Sequence, residues 1–236
     1  MRIAVDAMGG DYAPGVAVEG VATALHDFPD YELILVGHAA KLAFYLEKYG
    51  LAGHPRLSVR HAETVVEMSE SSAVVLRSKR DSSMTVCARM LKAKEVDAIV
   101  SAGHTGAAVA SCKVLVRTLP GVDRPVIATN MPAQGGRFVM VDSGANPDCE
   151  PFHLAQFAAM GSVYAEFVYG CERPRVGLLS VGGEDSKGNK LTKEAFPLLE
   201  EMMPKINFVG NVEGNTIFER AADVLVCDGF TGNVFL

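Results

Sequence analysis

Short runs of β-branched and aliphatic residues alternate along this chain with longer stretches of helical periodicity. The short runs are Arg2 to Asp6, Glu32 to Val36, Leu57 to Arg60, Ala98 to Ser101, Val126 to Asn130, Phe138 to Val141, Val176 to Ser180, Asn207 to Val209 and Val224 to Cys227. Helical patterns occupy Pro14 to Phe28, Ala39 to Tyr49, Ser83 to Lys94, Thr105 to Leu115, Pro151 to Tyr169 and Thr192 to Met203. Such alternation predicts βαβ units, and so an α/β protein whose mostly parallel sheet is covered on both faces. One connection breaks the rule: Val126 to Asn130 and Phe138 to Val141 are joined by Pro132 to Gly136 with no helix between, which predicts a β-hairpin. No repeat, low-complexity tract or linker divides the chain, so residues 1–236 are expected to form a single α/β domain. After Val224 to Cys227 the turn Asp228 to Asn233 should launch a helix, yet three residues remain. A helix that short cannot stand alone, and the domain is expected to be incomplete at its C-terminus.

Composition narrows the class. With 236 residues, 49% of them hydrophobic, the chain can bury a full core. Its apolar blocks are broken by Gly, Asp, Pro or Lys well short of the roughly 20 residues that span a bilayer. The N-terminus reads directly as a strand rather than a signal peptide, so a cytoplasmic location is expected. Five scattered cysteines without a CxxC pair fit neither a disulfide framework nor a zinc site. A net charge of −6 argues against a nucleic-acid partner.

The chemistry is expected where strands meet helices. Glycine with small polar residues follows several strands: Asp6 to Asp11, Ser101 to Gly106, Asp142 to Asn146, Gly182 to Asn189 and Asp228 to Asn233. Glycine lets backbone approach a ligand closely, and the free amides opening the next helix attract anions. Neither a Walker A lysine nor a GxGxxG fingerprint is present, so a small anion fits better than a nucleotide. No metal and no cofactor is expected.

The strings DAMGGD (Asp6 to Asp11), KRDSSM (Lys79 to Met84), SAGHTGA (Ser101 to Ala107), DRP (Asp123 to Pro125), DSGAN (Asp142 to Asn146), KGN (Lys187 to Asn189), NFVGNVEG (Asn207 to Gly214) and CDGFTGNV (Cys227 to Val234) occur in this order. Together they resemble the bacterial phosphate acyltransferase family, PlsX. The resemblance implies an enzyme that converts long-chain acyl-acyl carrier protein and inorganic phosphate into acyl phosphate and free carrier, in phospholipid synthesis. It also implies a homodimeric three-layer α/β/α sandwich, similar to isocitrate and isopropylmalate dehydrogenases, working in the cytoplasm with peripheral contact at the inner face of the membrane. The family's chains run on past Leu236. Departures from its pattern are His104, where asparagine is expected, and Ser143, Ser180 and Gly183.

The reaction can be reasoned physically. Phosphate, with a second pKa of about 6 to 7 by analogy with phosphoserine, is largely a nucleophilic dianion at neutral pH. The leaving carrier thiol, near pKa 8.5, needs little acid assistance. The protein must offset the phosphate charge, place the dianion about 3 to 3.5 Å from the thioester carbon and stabilise the oxyanion. The candidate phosphate turn is Gly103, His104, Thr105 and Gly106 with the Ser101 and Thr105 hydroxyls; Asp6, Gly9, Gly10, Asp11, Ser82, Ser83, Asp142 and Asn146 complete the expected substrate residues. Lys187 is the candidate counter-charge. Asn146, Asn189, Asn211 and Asn233 are candidate neutral donors to the thioester carbonyl, and Asp228, like Asp6, Asp11 and Asp142, is a candidate to orient a phosphate-binding side chain. Helix capping or turn formation is the competing role for these residues, and plain solvation for Lys187. Asp148, Cys149, Glu150 and His153 are read as the start of a helix rather than a nucleophile or metal set, and Cys112 as core.

Acyl carrier proteins are acidic, so the basic residues Arg77, Lys79, Arg80, Arg89, Lys92 and Lys94, or alternatively Lys113 and Arg117, are candidate docking residues. Competing functions are a phosphotransacetylase-like enzyme acting on an acyl-coenzyme A, a dehydrogenase of similar fold, and a non-catalytic scaffold that binds the carrier protein.

Overall fold

The computed structural model describes residues 1–67, 70 and 78–236. The chain folds as two compact units, Met1–Thr118 and Leu119–Leu236.

In the first unit β1 (Arg2–Asp6), α1 (Gly15–Asp27), β2 (Glu32–Gly37), α2 (Ala39–Lys48), β3 (Leu57–His61), α3 (Ser83–Lys92), β4 (Ala98–Ser101) and α4 (Thr105–Ser111) follow one another. The strands lie in the order β3-β2-β1-β4, all parallel. Because successive strand side chains face opposite ways, Ile3, Val5, Leu33 and Leu35 pack on one face with α1 and α2. Ala4, Ile34, Val36 and Ile99 pack on the other with α3 and the helix after β4. Helix α1 buries Val18, Val21 and Leu25, a stripe at helical spacing. The expected helix Thr105 to Leu115 is α-helical only to Ser111; residues Cys112–Val116 continue as a π-helical turn closed by Arg117 N–H donating to the Cys112 carbonyl at 3.0 Å.

The second unit contains β5 (Ala128–Ala133), β6 (Gly136–Val141), α5 (Pro151–Tyr169), β7 (Arg175–Ser180), α6 (Lys190–Glu201), β8 (Asn207–Glu213), β9 (Val224–Val226) and α7 (Gly229–Phe235). Its sheet order is β5-β6-β9-β7-β8, parallel except for β5. Val139, Val176, Leu178 and Val224 pack against α5 and α6, while Phe138, Met140, Leu225 and Phe235 share the opposite core. Both units thus have helices on the two faces of a mostly parallel sheet, the expected fold class.

Three local expectations are corrected. The hairpin turn is only Gln134 and Gly135, the latter at φ +68°, and Pro132 lies within β5. An edge strand tolerates proline because the missing N–H has no ladder partner to lose. Strand β8 runs on to Glu213 by absorbing Gly210, at φ +90°, in a bulge opposite β7. The final turn is itself helical: Asp228 accepts the Thr231 N–H at 2.9 Å and starts α7 at Gly229.

Candidate active site

The order β3-β2-β1-β4 places a topological switch point between β1 and β4, the crevice where open α/β sheets bind ligands. Asp6 closes β1 and is 4% exposed. Its Oδ2 accepts the Ser101 hydroxyl at 2.7 Å, and its Oδ1 accepts the Met8 N–H at 3.2 Å. Ser101 Oγ in turn accepts the Gly103 N–H at 3.1 Å. This bracket draws the two glycine turns together so tightly that a Cβ on Gly9 would stand 2.8 Å from the Gly103 nitrogen. Gly10, at φ +100°, completes the first turn.

His104 caps α4: its Nδ1 accepts the Ala107 N–H at 3.1 Å, as an asparagine oxygen would. The Thr105 and Gly106 amides in the first turn lack an intrahelical acceptor. Ser83, at the start of α3, joins Asp6, Gly9, Gly103 and His104 around a cavity of about 10 Å³, room for about one water. Ser82 caps α3, accepting the Thr85 N–H at 3.3 Å and donating to Thr85 Oγ1 at 2.8 Å. Asp11 is exposed, and with Asp6, Gly9, Gly10 and Ser101 it borders a larger groove. The first unit therefore brings Asp6, Gly9, Ser83, Gly103 and His104 together, while Ser82 turns into its own helix.

In the second unit, Asp142 is fully buried and accepts four donations: from Ile127 N and Ala145 N at Oδ1, and from Asn146 N and Asn146 Nδ2 at Oδ2. Asn146 Nδ2 also donates to the Pro125 carbonyl at 2.8 Å. The Asp142 to Asn146 turn meets the start of α7 closely: Gly232 lies against the Asp142 carbonyl, and a Cβ on Gly229 would stand 2.7 Å from the Asn146 nitrogen. Asp228 Oδ2 accepts the Thr231 hydroxyl at 2.7 Å. Thr231 was not among the expected residues, although the spacing Asp228-x-x-Thr231 is a capping pattern legible in the sequence.

Asn189 caps α6, its Oδ1 accepting the Thr192 N–H at 2.9 Å, which leaves its Nδ2 free of that role. Asn189, Asp228 and Thr231 share a cleft of about 500 Å³ with Asp148 and Cys149. Burial pushes the Cys149 thiol up to about 11. Asn211 is tied instead to the loop after β7, its Nδ2 donating to the Glu184 carbonyl at 2.8 Å. Glu213, another residue not foreseen, anchors that loop by accepting the Gly183 N–H at 2.9 Å. Lys187, on the same loop, is exposed and has no carboxylate partner among the described residues. Asn233 is exposed beside Gly144, which takes φ +132°.

Helix α5 begins at Pro151 as expected, with the Glu150 N–H donating to His153 Nδ1 at 2.9 Å. That bond makes Nδ1 an acceptor, so Nε2 carries the proton shared with Asp123 at 2.8 Å. Cys112 is half-buried against the α3 core, and burial raises its pKa. Of the basic residues, Lys79 is turned inward: its ammonium donates to Glu70 at 2.6 Å and to the Val65 carbonyl. Arg89 faces Asp81 at 3.5 Å. Arg77 lies outside the described residues. Arg80, Lys113 and Arg117 are exposed without a carboxylate partner among the described residues.

The profile of the family described as "Fatty acid synthesis protein" matches residues 1–236. A phosphate acyltransferase from Syntrophotalea carbinolica is 49% identical over 234 residues, 99% of this chain and 66% of that protein. Another from Alcanivorax borkumensis is 50% identical over 236 residues, all of this chain and 70% of that protein. The chain thus spans about two thirds of these relatives. Among solved structures, a phosphotransacetylase from Streptococcus pyogenes superimposes with a TM-score of 0.73 at 19% identity, covering 99% of this chain and 79% of that one, a likeness of fold.

Proposed function

The chain belongs to the fatty acid synthesis protein family, among relatives named phosphate acyltransferase, and from that premise we propose that it transfers a long-chain acyl group from acyl carrier protein to inorganic phosphate. A phosphate oxygen forms a bond to the thioester carbon, the carbon–sulfur bond breaks, and the carrier sulfur leaves with a proton taken from phosphate or solvent. The products are acyl phosphate and free carrier, and phospholipid synthesis is the use proposed for them.

The observation that carries this reading is the contact of two glycine turns, Gly9 and Gly103, across adjacent parallel strands at the switch point. Backbone held that close leaves no side chain to keep an anion away, and the amides of Thr105 and Gly106 offer it partial positive charge. In this reading His104 holds the turn as a cap rather than contacting phosphate itself. Within the second unit, Lys187 is proposed as a cation for substrate charge, and Asn189, Asn211 and Asn233 as neutral amides that polarise a carbonyl without adding negative charge. The carrier is acidic, so Arg80, Lys113 and Arg117 are its proposed docking residues. Assembly as a homodimer, and a cytoplasmic location with peripheral contact at the inner face of the membrane, belong to the same proposal. Among the described residues no helix is long and apolar enough to cross a membrane.

The test is to incubate the protein with palmitoyl-acyl carrier protein, with and without inorganic phosphate, and trap acyl phosphate as its hydroxamate. Phosphate-dependent product is expected, with turnover falling at least tenfold in Lys187→Ala and Thr105→Ala. Turnover with acetyl-coenzyme A alone, or carrier binding without phosphate-dependent deacylation, would replace this reading with a phosphotransacetylase or a scaffold.

A further inference from the structure

The second unit holds a cavity of about 360 Å³, within the range of small-molecule pockets, that none of the residue roles above accounts for. It lies at the amino ends of the strands: Gly136 to Val139 open β6, and Asp223 directly precedes β9. Asp142, Asn189 and Asp228, by contrast, follow the carboxyl ends of β6, β7 and β9. Phe138, Val139 and Ala165 are buried and give the cavity an apolar floor, while Tyr169 lines it from the end of α5. Its cations outnumber its anions. Arg137 and Arg220 line it with Asp223, and Arg175 also reaches that carboxylate, so three guanidiniums stand against one negative charge. Arg175 holds Asp223 by both oxygens, at 3.0 and 3.1 Å, and adds its backbone N–H at 3.0 Å. Arg220 is left with longer contacts, 3.4 Å to Asp223 Oδ1 and 3.4 Å to the Gly135 carbonyl, beyond the roughly 2.7–3.2 Å of a well-made N–H···O bond. Its backbone takes φ +60°, a conformation that favours glycine, so the turn after Ile217–Glu219 gives no reason for an arginine there. Arg137 has no carboxylate partner among the described residues. Its guanidinium lies 4.8 Å from the Tyr169 ring centroid, a cation–π contact that orients the charge without neutralising it. Glu166, which also acts on the Cys171 thiol of the cavity, is exposed and outside the lining.

We propose that this cavity binds a phosphate monoester carried on a flat apolar body. Charge decides the head group. The two uncompensated cations match a phosphate monoester, which carries about −1.5 to −2 at pH 7, whereas a carboxylate would leave one cation unmatched. Guanidinium forks also pair with phosphate oxygens through parallel N–H bonds. The walls decide the body. Tyr169 and the floor of Phe138, Val139 and Ala165 offer aromatic and aliphatic surface that a bare inorganic phosphate would not cover. The site is separate from the residues assigned to acyl transfer and does not depend on that reading.

Isothermal titration calorimetry with phenyl phosphate, benzoate and inorganic phosphate, on wild type, Arg137→Ala, Arg220→Lys and Lys187→Ala, tests the assignment. Phenyl phosphate should bind wild type, and about tenfold or more weakly to Arg137→Ala and to Arg220→Lys, which keeps a cation beside Asp223 but loses the fork. Arg137 is exposed, so Arg137→Ala should unfold at the wild-type urea concentration and its lost affinity reads as a lost contact. Lys187→Ala should bind phenyl phosphate as wild type does. Benzoate and inorganic phosphate should each bind wild type roughly tenfold more weakly than phenyl phosphate. Saturating phenyl phosphate should slow alkylation of Cys171, which lines the cavity, and leave Cys149 unchanged, as read by peptide-resolved mass spectrometry. No binding to wild type, undiminished affinity in both arginine variants, or an unprotected Cys171 would overturn the proposal. Benzoate binding as tightly as phenyl phosphate would replace the phosphate head with a carboxylate, and inorganic phosphate binding as tightly would remove the apolar body; either refutes the ligand class named.

Discussion

Gly9→Ala probes the contact on which the candidate site depends. A methyl there would stand 2.7 Å from Asp6 Oδ2, 2.8 Å from the Gly103 nitrogen and 2.9 Å from the Gly103 Cα, where ordinary contact begins at 3.4 Å. The turns must therefore part by about 0.5–0.6 Å, and the Asp6 carboxylate must yield by about 0.7 Å. Neither neighbour can yield freely. Gly103 presents backbone, and the Asp6 carboxylate is buried and held by Met8 N and the Ser101 hydroxyl. Overpacking of this kind costs about 1–3 kcal/mol; if the shift also opens the Asp6–Ser101 bond, about 1.5–3 kcal/mol more is lost. With a urea dependence of roughly 2 kcal/mol per molar, the unfolding midpoint of the first unit should fall by about 0.5–3 M. Activity should fall further than stability requires, since misplacing a reacting group by about 1 Å can cost 10²-fold. Gly20→Ala is the control: its methyl enters open space, and its helix propensity should stabilise the unit by about 0.5–1 kcal/mol. Gly103→Ala, whose Cβ would stand 3.0 Å from the Gly9 Cα, should combine non-additively with Gly9→Ala because both methyls press on one contact. A Gly9→Ala protein that unfolds at the wild-type urea concentration and keeps full turnover would refute the idea that these turns must touch.

His104→Ala should lower unfolding stability by about 0.5–2 kcal/mol through loss of the α4 cap, while His104→Asn should change it by only a few tenths; equal losses in chemical denaturation would show that the Nδ1 bond to Ala107 is not the stabilising element. Cys149, with its thiol pushed up to about 11 by burial, should be alkylated by iodoacetamide at pH 8 about 200-fold more slowly than a free thiol. Because only the thiolate reacts, its rate should climb about tenfold per pH unit until near pH 11. Peptide-resolved mass spectrometry that found Cys149 modified as fast as a free thiol at pH 8 would refute the assignment of a protonated, unreactive sulfur.

The order of strands and helices was legible because it rests on periodicity, which survives without knowledge of the partner strands. What was not legible depended on neighbours. Pro132 looks like a turn residue until β5 is seen to be an edge, and Gly210 looks like a strand end until the bulge is seen opposite β7. The candidate site shows the same division more sharply. Ser82, His104 and Asn189 were expected to touch substrate and Asp228 to orient a side chain that does, and each accepts the N–H three residues on. Capping and anion binding draw on the same residue types at the same strand-to-helix junctions, so sequence alone leaves the two roles open.

Lone pairs decide between those roles, and for the buried carboxylates they do so in a way that favours an anion nearby. Asp142 has four donations turned onto its two oxygens, and Asp6 accepts one donor on each. A carboxylate so enclosed has its charge compensated by amide and hydroxyl dipoles directed at it. Its role becomes that of a clamp, holding the glycine turns close while presenting little uncompensated negative charge to a ligand. The repulsion that Asp6 would exert on a phosphate beside Gly103 is thereby reduced where the fold needs Asp6 most. Removing the Ser101 hydroxyl should expose that latent charge, and Ser101→Ala should therefore raise the KM for phosphate more than the KM for the acyl carrier. Equal changes in the two constants would mean that the bracket acts through geometry alone.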